Sequence, residues 1–177
     1  GQGVHPDWGL IGGLRMRLAD AGLSTLSVQM PLLSSDAPRD AYSALQPQAN
    51  ERIDAAIAYA RSHGVRRVAI VAHSMGASMV NAYLGSAGAA RIDAFVPIGM
   101  WGDFAIAPRE PVLDVIAADD FAQVLESAPR RAPVLPRDGC SQRVIIAGTD
   151  HYMANRHAEL ASALLPFLQR AFDGGCR

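Results

Sequence analysis

The chain has 177 residues, 50% of them hydrophobic and 19% charged, which is enough for one substantial core and too little for two complete large domains. A formal charge of −1 lacks the basic surplus that marks a nucleic-acid binder, and no apolar run approaches the roughly 18–20 residues of a membrane-spanning helix. Every basic residue is an arginine, so a lysine nucleophile or Schiff base is excluded.

The opening GQGVHPDW has neither an initiator methionine nor a signal peptide. It reads as the interior of a longer precursor, of which residues 1–177 form a single domain at the C-terminal side. Residues 8–21 carry leucines, Ile11 and Met16 at helical spacing and stop at Gly22, a natural helix terminator. LSTLSVQM, residues 23–30, predicts a strand closed by Pro31, and the Ser-, Asp- and Pro-rich stretch that follows predicts a loop. Residues 48–63 set Ile53, Ala56, Ile57 and Ala60 on one helical face. Strands are then predicted over 66–73, 92–100, 111–118 and 142–148, with helices over 75–84, 119–128 and 154–172, the last expected to kink or break at Pro166. Strands alternating with helices predict an α/β fold, a mostly parallel sheet covered on both faces.

The stretch VAIVAHSMGAS, residues 68–78, carries the chemistry. Ala72-His73-Ser74-Met75-Gly76 fits a small-x-Ser-x-Gly elbow at a strand-to-helix turn, with alanine where glycine is commonest. Its flanking residues must be small because the turn forces the serine into a tight backbone conformation while strand and helix pack against it. The turn also sets the Met75 N–H at a helix start, where a free donor and the helix dipole stabilise an oxyanion. A serine in this place is equally an ordinary helix N-cap. Partners for a nucleophile follow in the order acid, then histidine: Asp119 and Asp120 after the strand 111–118, and His151 after the strand 142–148. Both aspartates also suit a helix N-cap, and His151 also suits a surface loop. His73, Asp114 and His157 read as packing or surface residues.

In these motifs the chain resembles the α/β-hydrolase superfamily along its whole length, and is similar to a bacterial group of hydrolase-like proteins. The resemblance implies that Gly1-Gln2-Gly3 is the remnant of a His-Gly-x-Gly loop, with the backbone N–H of Gln2 as second oxyanion donor beside Met75. It favours Asp120 over Asp119, because Ala117 stands where the family's acid follows a strand-ending glycine by three residues. It also implies a missing strand between residues 23–30 and the elbow strand, unless those two pair directly. Only WGDFAIAPREP separates two strands where many relatives carry a cap, so the resemblance implies an open site lined by Trp101, Phe104, Met100 and Trp8.

The resulting expectation is a serine hydrolase of an ester or related acyl bond, with Ser74, Asp120 and His151 as triad, no cofactor and a small-molecule substrate. A non-catalytic binding or scaffolding protein of the same fold, or an acyltransferase using the same triad, is the alternative. No His-x-x-x-His or Cys-x-x-Cys spacing points to a metal, and neither glycine-rich phosphate-binding pattern is present. Cys140 precedes the last strand and Cys176 follows the last helix, so both fall at the edge opposite the site. They are either bonded, implying a periplasmic or secreted protein, or two reduced thiols that happen to be neighbours.

Overall fold

A computed structural model describes residues 7–34 and 36–176. Helices α1 (Gly9–Asp20) and α2 (Gln46–Ser62) are followed in chain order by strand β1 (Ala69–His73), helix α3 (Met75–Leu84), strands β2 (Ala94–Ile98) and β3 (Leu113–Asp119), helix α4 (Ala122–Arg131), strand β4 (Gln142–Asp150) and helix α5 (His157–Phe172). The four strands form one parallel sheet in the order β1-β2-β3-β4. Parallel neighbours need crossovers, and every strand therefore delivers its C-terminal end to the same rim.

Period-two alternation decides which helices cover which face. Ala94, Val96 and Ile98 of β2 and Leu113, Val115 and Ala117 of β3 point to a core shared with α1 and α5, through Leu10, Leu14, Leu160 and Leu164. Phe95 points the other way, into a core with Ile53 and Ile57 of α2 and Val80 and Tyr83 of α3. On that same face of β3, Ile116 packs against Val124 and Ala128 of α4. The α1–α5 seam is close because Gly13 has no side chain: a Cβ there would meet the His157 ring at 2.5 Å. His157, expected on a solvated face, is half-buried and donates from Nε2 to the Gly9 carbonyl at 3.2 Å in an exposed contact.

Three expectations need correction. Residues 23–30 form no strand, because an extended segment becomes one only by laddering to a neighbour, and none pairs with it among the described residues. They do not pair with β1 either, so direct pairing of the two predicted strands is excluded. Part of the expected loop is a 3-10 helix over Arg39–Leu45. Of the kink or break expected at Pro166, the break is absent: α5 runs on to Phe172. Proline removes one hydrogen bond, to the carbonyl four residues back; here both Pro166 and Ser162 are on the exposed side of the helix, while Leu164, Phe167 and Leu168 hold the inner face.

Candidate active site

Ser74 sits between the last residue of β1 and the first of α3 with φ +57° and ψ −126°, a conformation that L-residues rarely adopt. Two contacts hold it there. Its N–H donates to the Ile98 carbonyl at the end of β2 (2.8 Å), and its carbonyl accepts from Ser78 N–H in the first turn of α3 (3.2 Å). The hydroxyl therefore points out of the rim rather than capping the helix, and Ser74 makes no side-chain cap bond. The Met75 amide, next along, has no acceptor among the described residues.

Asp120 reaches the same rim from β3, two strands away. A register irregularity between Ala117 and Asp119 ends the regular alternation just before it, so Asp119 faces solvent and Asp120 turns inward with 6% exposure. Its carboxylate accepts from the backbone N–H of Ala117 (3.0 Å) and of Phe121 (2.9 Å). Burial alone would raise its pKa, but hydrogen bonding from His151 and from these two amides prevails, and the carboxyl is held below the usual carboxylate value.

His151 follows β4 and joins the two. Nδ1 lies 2.6 Å from Asp120 Oδ1 and Nε2 lies 2.7 Å from Ser74 Oγ. With Asp120 ionised, Nδ1 carries the proton and donates to the carboxylate, leaving Nε2 to accept from the serine hydroxyl. The ring is 2% exposed. Phe121 stacks on it at 4.0 Å between centroids with planes 19° apart, and Tyr152 meets it edge-on at 5.7 Å.

To reach Ser74 from β4, the ring must cross the end of β2. Gly99, with φ +57°, makes that crossing possible: a Cβ there would lie 3.0 Å from His151 Cε1 and Nδ1. His73 supports the ring from below. Its Nε2–H donates to the His151 carbonyl at 2.9 Å, and the two imidazoles lie 4.8 Å apart. Burial pushes the His73 pKa down to about 4 against the opposing pull of its hydrogen bond to the His151 carbonyl, so His73 is neutral around pH 7.

The structure thus brings Ser74, Asp120 and His151 together, with Met75 beside them. Gln2 lies outside the described residues. The expected pocket lining separates. Trp101 is half-buried and packs against two small cores, that of Tyr42, Ala49, Met75 and Met79 and that of Ile116, Val124 and Ala128. Met100 does not line a pocket: its side chain is fully buried between α2, α3 and the sheet, because successive residues leaving β2 point to opposite faces. Phe104 packs against that same core, in a shallow groove with Asn81, Leu84 and Phe95, and not against the three polar residues. Trp8 stands 75% exposed ahead of α1. Cys140 and Cys176 lie with sulfurs 2.15 Å apart and are joined as a disulfide. Gly99 and Phe121 escape sequence reasoning. A glycine near the end of the predicted strand 92–100 is the only trace of the first, and the second has no signal beyond following Asp120. No group of three His, Cys, Asp or Glu side chains among the described residues converges as metal ligands.

No family model matches this sequence, and no curated protein matches it. Solved structures do. Est1E from Butyrivibrio proteoclasticus superposes with a TM-score of 0.72 at 17% identity, over 98% of this chain and 86% of its own. A "predicted CIB-like hydrolase" from Thermoplasma acidophilum gives 0.62 at 16% identity, over 90% and 79%. An alpha-beta serine hydrolase homologue from Coxiella burnetii gives 0.61 at 14%, over 89% and 74%. The chain has the α/β-hydrolase fold. Within it, Ser74, His151 and Asp120 meet at the rim formed by the C-terminal ends of the strands.

Proposed function

We propose that the protein is a serine hydrolase that cleaves an ester or related acyl bond through an acyl-enzyme intermediate. One observation carries this reading: a single buried imidazole is bonded on one nitrogen to a serine hydroxyl at 2.7 Å and on the other to a carboxylate at 2.6 Å. Each atom has a task. As Ser74 Oγ attacks the acyl carbon, its proton passes to His151 Nε2, and Asp120 stabilises the imidazolium that forms. The Met75 N–H, without an acceptor and at the start of α3, faces the negative charge that develops on the acyl oxygen. The imidazolium then protonates the leaving alcohol, and a water deprotonated by the same nitrogen releases the acid and restores the serine. Gln2 is the proposed second donor to the oxyanion.

The test is covalent labelling by a fluorophosphonate probe together with hydrolysis of p-nitrophenyl acetate. Wild-type protein is expected to label and turn over, Ser74→Ala to do neither, and Asp120→Asn to lose about 10³–10⁴ in turnover because the imidazole is then held in the wrong tautomer. Folded wild-type protein that neither labels nor hydrolyses would leave the fold as a binding scaffold.

A further inference from the structure

Behind the rim lies a group of buried charges that the acyl-transfer chemistry does not use. Arg131, at the end of α4, and Asp114, in β3, both have side chains that are 0% exposed, and they pair in two parallel bonds of 3.1 Å. Arg143 of β4 adds a second guanidinium to the same carboxylate, at 2.9 and 3.1 Å. Burying an ion pair of this kind, with Arg143 partly exposed beside it, is a poor route to stability, since well-packed apolar side chains of the same volume hold a fold as well or better. What such a cluster does supply is a fixed geometry.

The element it fixes is the loop leaving β2. Arg131 Nη1 donates to the Gly102 carbonyl at 2.8 Å and to Ser127 Oγ at 3.0 Å. Ser127 Oγ in turn accepts from the Gly102 N–H at 3.0 Å while its own proton goes to the Gln123 carbonyl at 2.7 Å. Both polar groups of Gly102, a residue at φ +81°, are therefore gripped by α4. Three residues earlier, Gly99 is pinned under the His151 ring. The residue before the grip is Trp101, which packs against the small core that Met75, the neighbour of Ser74, forms with Tyr42, Ala49 and Met79.

We propose that Arg131 and Ser127 are specificity-determining positioning residues: by clamping Gly102 they set Trp101 as the wall against which the acyl group of an apolar ester packs. This rests on the hydrolase reading for its substrate, but the clamp itself has a readout that needs no catalysis. The chain has two tryptophans, so Trp8→Phe, at an exposed position, leaves Trp101 as sole reporter. In that background Ser127→Ala, Ser127→Thr and Arg131→Met are compared by acrylamide quenching, by urea midpoint and by kcat and KM on p-nitrophenyl esters from acetate to octanoate.

Ser127→Ala and Arg131→Met are expected to raise the quenching constant of Trp101 about twofold and to cut kcat/KM on octanoate about tenfold, through KM, the size of effect one buried hydrogen bond supports. The acetate ester, too short to reach the wall, keeps its kcat within about threefold, and Ser127→Thr, which retains the hydroxyl, restores both readouts. Folded variants with unchanged quenching, or with equal losses on acetate and octanoate, would overturn the proposal. If Arg131→Met fails to fold, Ser127→Ala decides. If wild-type protein hydrolyses nothing, the hydrolase reading fails while quenching still rules on the clamp.

Discussion

His73 lies beside Ser74 but outside the Ser74–His151–Asp120 chain of hydrogen bonds, and its burial makes a quantitative prediction about stability. In the folded protein its pKa is about 4, against an ordinary value of 6.5. Between those values the unfolded chain binds a proton at His73 that the native state does not, so stability is complete above pH 6.5 and falls as pH drops toward 4. At about 1.4 kcal/mol per pH unit, that gap amounts to about 3 kcal/mol. Asp120 does not contribute to this window. Its carboxyl is held below the usual 3.8, so the stability it provides is lost only as pH falls through that lowered value. Glutamine at position 73 matches the reach of Nε2 to the His151 carbonyl and does not titrate. Urea unfolding of wild type and His73→Gln from pH 7.5 to 4.5 is the assay. The variant is expected to lie within about 1 kcal/mol of wild type at pH 7.5 and to be about 2.5 kcal/mol more stable relative to it at pH 4.5. Two curves that fall in parallel across the window, or an NMR titration of His73 near 6.5 in the folded protein, would refute the reasoning.

Gly99→Ala should act on the site and the fold together. The positive φ costs about 1–2 kcal/mol for an L-residue, and the new methyl, 3.0 Å from two ring atoms, pushes His151 off Ser74. A thermal melt should show the first effect, and the rate of fluorophosphonate labelling should fall about tenfold or more. Replacing Cys140 and Cys176 by serine opens a loop of 36 residues that contains β4, His151 and α5. Opening it returns loop-closure entropy to the unfolded chain and should destabilise the protein by about 4 kcal/mol, to be read from the urea midpoints of the variant and of wild type with and without reductant. Unreduced protein that reacts fully with maleimide would show that the bridge is absent.

The parts of this molecule legible from sequence are those set by short-range rules. The elbow at Ser74 could be read because a β-branched run, a ring of small residues and an amphipathic helix are all within a dozen positions of it. The helix Met75–Leu84 falls where periodicity puts it. The choice of Asp120 over Asp119 needed the family resemblance, since both follow the same strand; the structure separates them by a local irregularity in β3 that no composition signals. Met100 and Trp101 are adjacent and equally apolar, yet one is core and the other half-exposed, a parity set by where β2 stops. The Arg131–Asp114–Arg143 cluster was invisible for a different reason. Three elements must assemble before its charges meet, and none of them carries a local mark of the encounter. Residues 23–30 have the composition of a strand, but strand formation depends on a neighbouring ladder, which is a property of the assembled sheet and not of the segment.

The backbone at Ser74 bears on whether the elbow exists for architecture or for reaction. A left-handed φ of +57° is one that glycine adopts freely and serine does not, at a cost of about 1 kcal/mol or more. A polypeptide shaped by foldability alone would lose nothing and gain a little by having no side chain at that corner. A hydroxyl kept where the main chain resists it is more readily accounted for by what the oxygen does than by what it supports.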